Sequence, residues 1–129
     1  MSCRQSVVVP ALAHRFPVPN ASRIGNIVVS GSIQGKDLVT QEIPGGLEEQ
    51  CANMFLNMRA IIEAAGGTTD DIVKVTVFIY DRNNREPLNA EWLRMFPDPA
   101  TRPARHAQPL AAEGPALIQC EFMAVLKDQ

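Results

Sequence analysis

The chain has 129 residues, enough for one domain of ordinary size with a single core, and the reading takes residues 1–129 as that domain. Hydrophobic residues make up 46% and charged residues 20%, a balance that excludes disordered, collagen-like and disulfide-framework classes. With 12 Lys and Arg against 14 Asp and Glu the net charge is −2, so no strong positive field draws in a phosphate backbone and nucleic acid is not expected as a partner.

The first apolar run, Val7 to Ala13 behind Arg4, is interrupted by Pro10 and lacks a small-residue cleavage site, so it reads as a first strand and the protein as cytoplasmic. No stretch approaches the roughly 20 consecutive apolar residues of a bilayer-spanning helix, so no membrane partner is expected. Gly25 to Ser32 is β-branched and bounded by glycines, which predicts a buried strand ending in a tight turn, followed by a loop to Gly46. From there Leu47, Cys51, Met54, Phe55, Met58, Ile61, Ile62 and Ala65 recur at three- and four-residue spacing. Glu48, Glu49, Asn53, Asn57 and Glu63 fall on the other side of this predicted amphipathic helix, and Gly66 and Gly67 stop it.

Asp71 to Tyr80 alternates as a half-buried strand does, with Val73, Val75, Val77 and Ile79 on one face and Lys74, Thr76, Phe78 and Tyr80 on the other. Asn83 and Glu86 have the spacing of a capping box ahead of a second helix with the stripe Leu88, Trp92, Met95 and Phe96, closed by Pro97 and Pro99. An extended run from Ala104 to Leu110, a loop at Glu113, Gly114 and Pro115, and a last strand from Ala116 to Leu126 complete the order. On that strand Leu117, Gln119, Glu121, Met123 and Val125 point one way. The order predicts an α+β, two-layer domain: two helices on one face of a mixed β-sheet. The other face, with Phe78, Tyr80, Met123 and Val125, is left semi-apolar and is expected to pack sheet to sheet in an oligomer.

Two charged residues stand where surface decoration is not the only explanation. Arg105 opens an extended segment, and its guanidinium fork is suited to gripping a small carboxylate bidentately. Glu121 lies in an otherwise apolar strand, where a carboxylate can hold or activate a water. The plainer reading is a structural ion pair between adjacent strands. Asn89 reads alone as a solvated helix residue or local cap, and strand alternation turns His106 away from Arg105. Cys51 and Cys120 read as core, and three cysteines without a C-x-x-C pair, with only His14 and His106 beside them, give no metal site and fit a reducing compartment. Turn geometry accounts for Gly31 and Gly35, and the sequence holds no Gly-rich phosphate loop, G-x-S-x-G elbow or H-E-x-x-H helix.

Taken together, the run Gly25 to Gly31, Glu48-Glu49-Gln50 opening a helix that ends at Glu63-Ala64-Ala65-Gly66, the strand Asp70 to Phe78, Leu88-Asn89, Pro103-Ala104-Arg105 and Cys120-Glu121 resemble the RidA/YjgF reactive intermediate deaminases. The features keep the family's order over nearly the whole chain. The resemblance implies a chorismate-mutase-like α+β fold and a homotrimer with sites between subunits. It also implies cofactor-free hydrolysis of small 2-imino or 2-enamino acids, such as 2-aminoacrylate, to keto acids and ammonia. It places Arg105 on the substrate carboxylate and Glu121 on the attacking water. Asn89 would shape the site, and Ser30 and Gly31 would line it through hydroxyl and backbone. Where the family carries tyrosine in a P-Y-S-Q-like stretch this chain has Pro17-Val18-Pro19-Asn20-Ala21, leaving Val18, or Phe16 as substitute, against the substrate; after Arg105, His106 replaces a small hydroxyl or thiol residue. The competing readings are a pathway-specific deaminase acting on an aminomuconate-like or 3-aminoacrylate-like acid, and a non-catalytic binder of small carboxylic acids. An endoribonuclease fits the acidic balance least.

Overall fold

The computed structural model describes residues 3–111 and 113–127. The strands are β1 (Arg4–Val7), β2 (Ala21–Ile24), β3 (Ile27–Ser30), β4 (Ile33–Gln34), β5 (Ile72–Ile79), β6 (Ala104–Pro109) and β7 (Ile118–Val125), with helices α1 (Leu47–Ala64) and α2 (Glu86–Met95). They form one mixed sheet in the order β1-β2-β3-β7-β5-β6, with β4 following β3 along the same side of β7. Among the described residues only the β5–β6 pairing is parallel, and α2 supplies the crossover that such a pairing needs. The expected α+β class, two helices with a mixed sheet, is the one observed.

The pleat divides the sheet into two faces. Val28, Val75, Val77, Ile79, Ile118, Cys120, Phe122 and Ala124 are buried against the α1 stripe of Cys51, Met54, Phe55, Met58, Ile61 and Ile62. On the opposite face Ile24, Ile27, Val29, Met123 and Val125 each remain about half exposed, which is the semi-apolar surface anticipated from the alternation. Helix α1 ends as its glycines predict. Gly66 takes φ +93°, and the N–H groups of Gly66 and Gly67 donate to Glu63 and Ile62 carbonyls at 3.0 Å.

Several local expectations are corrected. The first strand stops at Val7; Pro10–Leu12 forms a 3-10 turn, because Pro10 has no N–H to give a ladder and suits the first position of a helical turn. The single buried strand expected from Gly25 to Ser32 is the second half of a hairpin: Gly25, at φ +57°, turns β2 into β3, and Ile27 and Val29 face outward. In β5 an irregularity between Ile72 and Lys74 moves Val73 off the inner face, so Ile72 takes the buried place. The Asn83–Glu86 capping box does not form; α2 starts after Arg85 without a side-chain cap, and the box appears instead at Thr68 and Asp71. Asn57 is buried rather than solvated, its Nδ2 donating to the Gln34 and Lys36 carbonyls at 3.0 and 2.9 Å.

Gln50, fully buried on α1, was not singled out by its spacing. Its Nε2 donates to the Pro44 and Pro115 carbonyls at 2.7 and 3.1 Å, and its Oε1 accepts from the Leu117 N–H at 2.8 Å. The amide thus ties the loops entering α1 and β7. Its backbone lies so near Gly35 that a Cβ there would sit 2.6 Å from the Gln50 Cα. Gly35→Ala is therefore expected to lower the free energy of urea unfolding by about 3 kcal/mol, whereas Gly45→Ala, with open space at its Cβ, should change it by less than about 0.5 kcal/mol.

Candidate functional site

Arg105 lies on β6, the edge strand, and pairs laterally with Val75, so its side chain projects to the helix-bearing face. There its guanidinium carbon sits 4.9 Å from the centre of the Trp92 ring, and its Nη2 donates to the Asn89 Oδ1 at 2.8 Å. Both partners come from α2, where spacing of three residues brings them to one side of the helix. The Trp92 ring is fixed in turn by an edge-on contact with Phe96, centroids 4.8 Å apart. The Arg105 Nη1 is buried and lacks a hydrogen-bond partner. Burial first, and the charge of Arg85 second, lower the pKa of this guanidinium from its ordinary value. Among the described residues no carboxylate is within ion-pair distance of it.

Glu121 lies across β5 from Arg105, not on an adjacent strand. It pairs with Thr76, and Thr76 pairs with His106, so these three side chains form a row on the open face. The structural ion pair considered for Arg105 and Glu121 is therefore absent, and within one chain the two project from opposite faces of the sheet. Glu121 is exposed rather than enclosed in an apolar setting, and it lines a shallow depression of about 240 Å³ with Val29, Ser30, Lys74, Thr76, Phe122 and Met123. His106 does turn away from Arg105.

The other candidates are already engaged or lie apart. The Ser30 hydroxyl accepts from the Phe122 N–H at 2.9 Å and donates to the Gly31 carbonyl at 2.8 Å, while the Gly31 N–H donates to the Asn20 carbonyl at 2.9 Å. Ser30 thus braces the end of β3 against β7, and Gly31 ties it to the segment that enters β2. Phe16 and Val18 are exposed on the loop before β2, with the Arg15 guanidinium carbon 5.3 Å from the Phe16 ring centre. That loop joins the β1–β2 side of the sheet, and Arg105 occupies the far edge. The structure therefore gathers Arg105, Asn89 and Trp92 in one place, Glu121 and Ser30 in a second, and Phe16 and Val18 in a third. Trp92 was read only as part of an apolar stripe; its distance of three residues from Asn89 was the available signal.

The profile of the Endoribonuclease L-PSP family matches residues 10–125. The chain belongs to this family. Among its relatives, a RutC family protein of Haemophilus influenzae is 39% identical over 80 residues, 62% of each chain. The 2-iminobutanoate/2-iminopropanoate deaminase of Escherichia coli is 36% identical over 83 residues, 64% of this chain and 65% of that one. These two matches thus span a little under two thirds of either relative's length. Among solved structures, the Escherichia coli YjgF gene product superposes with a TM-score of 0.86 at 29% identity, covering 95% of this chain and 99% of that one. The RidA structure from Psychrobacter gives 0.83 at 27% identity, covering 95% and 100%. The likeness to RidA and YjgF read from the sequence is thus upheld by the family's sequences and folds.

Cys51 and Cys120 lie where the core reading put them. Burial first and Glu91 second push the Cys51 thiol up to about 12; burial, then Glu121 and Cys51, raise that of Cys120. Neither supplies appreciable thiolate near neutrality, while Cys3 is exposed. Iodoacetamide at pH 8 should therefore label Cys3 alone in the folded protein, with Cys51 and Cys120 modified only after denaturation, as read by intact-mass spectrometry.

Proposed function

We propose that this chain hydrolyses small 2-imino and 2-enamino acids to 2-keto acids and ammonia without a cofactor. The observation that carries this reading is the cation at Arg105: a guanidinium mounted on Asn89 and Trp92, with one buried nitrogen unsatisfied and no carboxylate partner among the described residues. Such a group is preorganised to receive an anion, because its orientation is fixed before the ligand arrives. The deaminase name carried by the Escherichia coli relative supports the same chemistry.

Arg105 would hold the substrate carboxylate by its fork, and Glu121 would hold a water against the imine carbon. As the water oxygen bonds to that carbon, its proton passes to Glu121, the C=N electron pair moves to nitrogen, and Glu121 returns that proton to the nitrogen. The resulting carbinolamine collapses to the C=O group, breaks the C–N bond and releases ammonia. An enamine would first take a proton on carbon to enter as the imine. Because Arg105 and Glu121 leave opposite faces of one sheet, this reading requires Arg105 of one subunit to meet Glu121 of another. A closed head-to-tail homotrimer provides that meeting and would bring Ser30, Gly31, Val18 and Phe16 toward the neighbour's Arg105 and Asn89.

The same geometry favours a second reading, a non-catalytic binder of small carboxylic acids, since a single chain assembles the cation without the carboxylate. A ribonuclease reading, suggested by the family's description, is disfavoured by the net charge of −2. The experiment is ammonia and keto-acid release from imines generated in situ by an amino-acid oxidase. Wild type should accelerate hydrolysis, Arg105→Ala should lower kcat/KM about 100-fold, and Glu121→Gln should lower kcat by a factor of about 100 or more. Stabilisation of the fold by keto acids with no acceleration for any imine would select the binder instead.

A further inference from the structure

The segment before β2 and the loop after β4 wall a cavity of about 380 Å³, and none of its lining residues belongs to α2 or β6, the elements that carry Asn89, Trp92 and Arg105. Both walls are pinned by a buried asparagine. Asn20 accepts the Val9 N–H on its Oδ1 at 2.8 Å and donates from Nδ2 to the Leu12 carbonyl at 2.9 Å, which fixes the first wall. Asn57 fixes the second through the Gln34 and Lys36 carbonyls. Gln41 joins the loop to the first wall, its Nε2 donating to the Ala11 carbonyl at 3.3 Å from a left-handed backbone, φ +64°, that a non-glycine residue adopts only at a cost.

His14 and Arg15 line this cavity from one wall and Lys36 from the other, over an apolar floor that includes Leu12, Ile33 and Ile61. Among the described residues no carboxylate lines it, and none of the three basic residues forms an ion pair. Asp37, next to Lys36, is engaged within its own loop, its Oδ1 accepting the Val39 and Thr40 N–H groups at 2.8 and 3.1 Å. Two permanent cations and a histidine thus share one cavity without an acid, in a chain whose net charge is −2. A monocarboxylate would balance one of the cations, whereas a phosphate monoester brings a charge of about −1.5 to −2 and three acceptor oxygens. The volume is near the low end of the roughly 300–1,000 Å³ usual for small-molecule sites, which limits the ligand's body to a few carbons. We propose that this cavity is a second ligand site, one that takes a small phosphate monoester, with Arg15, Lys36 and His14 toward the phosphoryl oxygens and the carbon body against the apolar floor. The site uses neither Arg105 nor Glu121 and so goes beyond the reading of those residues.

The test is titration of the full-length, ¹⁵N-labelled protein with butyl phosphate and with butyrate, followed by amide chemical shifts. Butyl phosphate should bind wild type with a Kd of about 1 mM or lower and move amides within residues 12–15 and 32–36, and butyrate should bind there roughly tenfold more weakly. Combining Arg15→Gln with Lys36→Gln should weaken butyl phosphate about tenfold or more, while Arg105→Ala should leave its affinity at this cavity unchanged. Arg15→Gln alone, at an exposed position, should weaken it about threefold and serves if the double variant does not fold. No shift in these segments, shifts that vanish in Arg105→Ala, equal affinity for butyrate, or undiminished binding by the folded variants overturns the proposal. None of these outcomes bears on imine hydrolysis, which is read separately.

Discussion

Strand β5 is hydrogen-bonded on both sides, and its pleat decides which face of the sheet each neighbouring side chain can occupy. Val75, Val77 and Ile79 are fully buried against α1, so sliding β5 by one residue would put three apolar groups in water and invert both neighbours' faces. That anchorage sends Arg105 toward the helices, where α2 receives it, and sends His106 and Glu121 to the open side. The chemical character of both surfaces thus follows from hydrophobic burial in a strand that contributes no charged group to the proposed reaction.

Helix α2 acts as a mount for the cation. Asn89 and Trp92 follow one another at helical spacing, so a polar carbonyl and an aromatic face converge on the guanidinium from one element. Glu121, the carboxylate of the proposed reaction, is placed differently, on the semi-apolar face of the sheet beside Val29 and Met123. Joining the halves across subunits would cover that face and complete the site together, which couples assembly to function in the proposed trimer.

Much of this was legible from periodicity. The α1 stripe, the two-faced alternation of β7 and the order of elements follow from spacing, and the family from the resemblance of motifs along the chain. What escaped was set by contacts distant in sequence. Asn57 was assigned to the solvent side and Gln50 to neither, yet carbonyls from the segments at Gln34, Pro44 and Pro115 satisfy their side chains in the interior. The shift of Val73 depends on where β7 pairs with β5, which no local pattern records. Arg105 and Glu121 could be named as an anchor and a base from residue type and resemblance, but their relation needed the strand order: β5 separates them.

The strand that bears Arg105 leaves one side of its backbone open. It is bounded by Pro103 just before it and by Pro109 at its end, and neither can donate to a ladder. An incoming strand therefore finds only a short stretch of backbone between two residues that refuse it. Sheet growth by stacking chain after chain is discouraged at this border, while contact through side chains near Arg105 remains open. In the proposed trimer the prolines would let the cation face a neighbour without making its strand a seed for fibres.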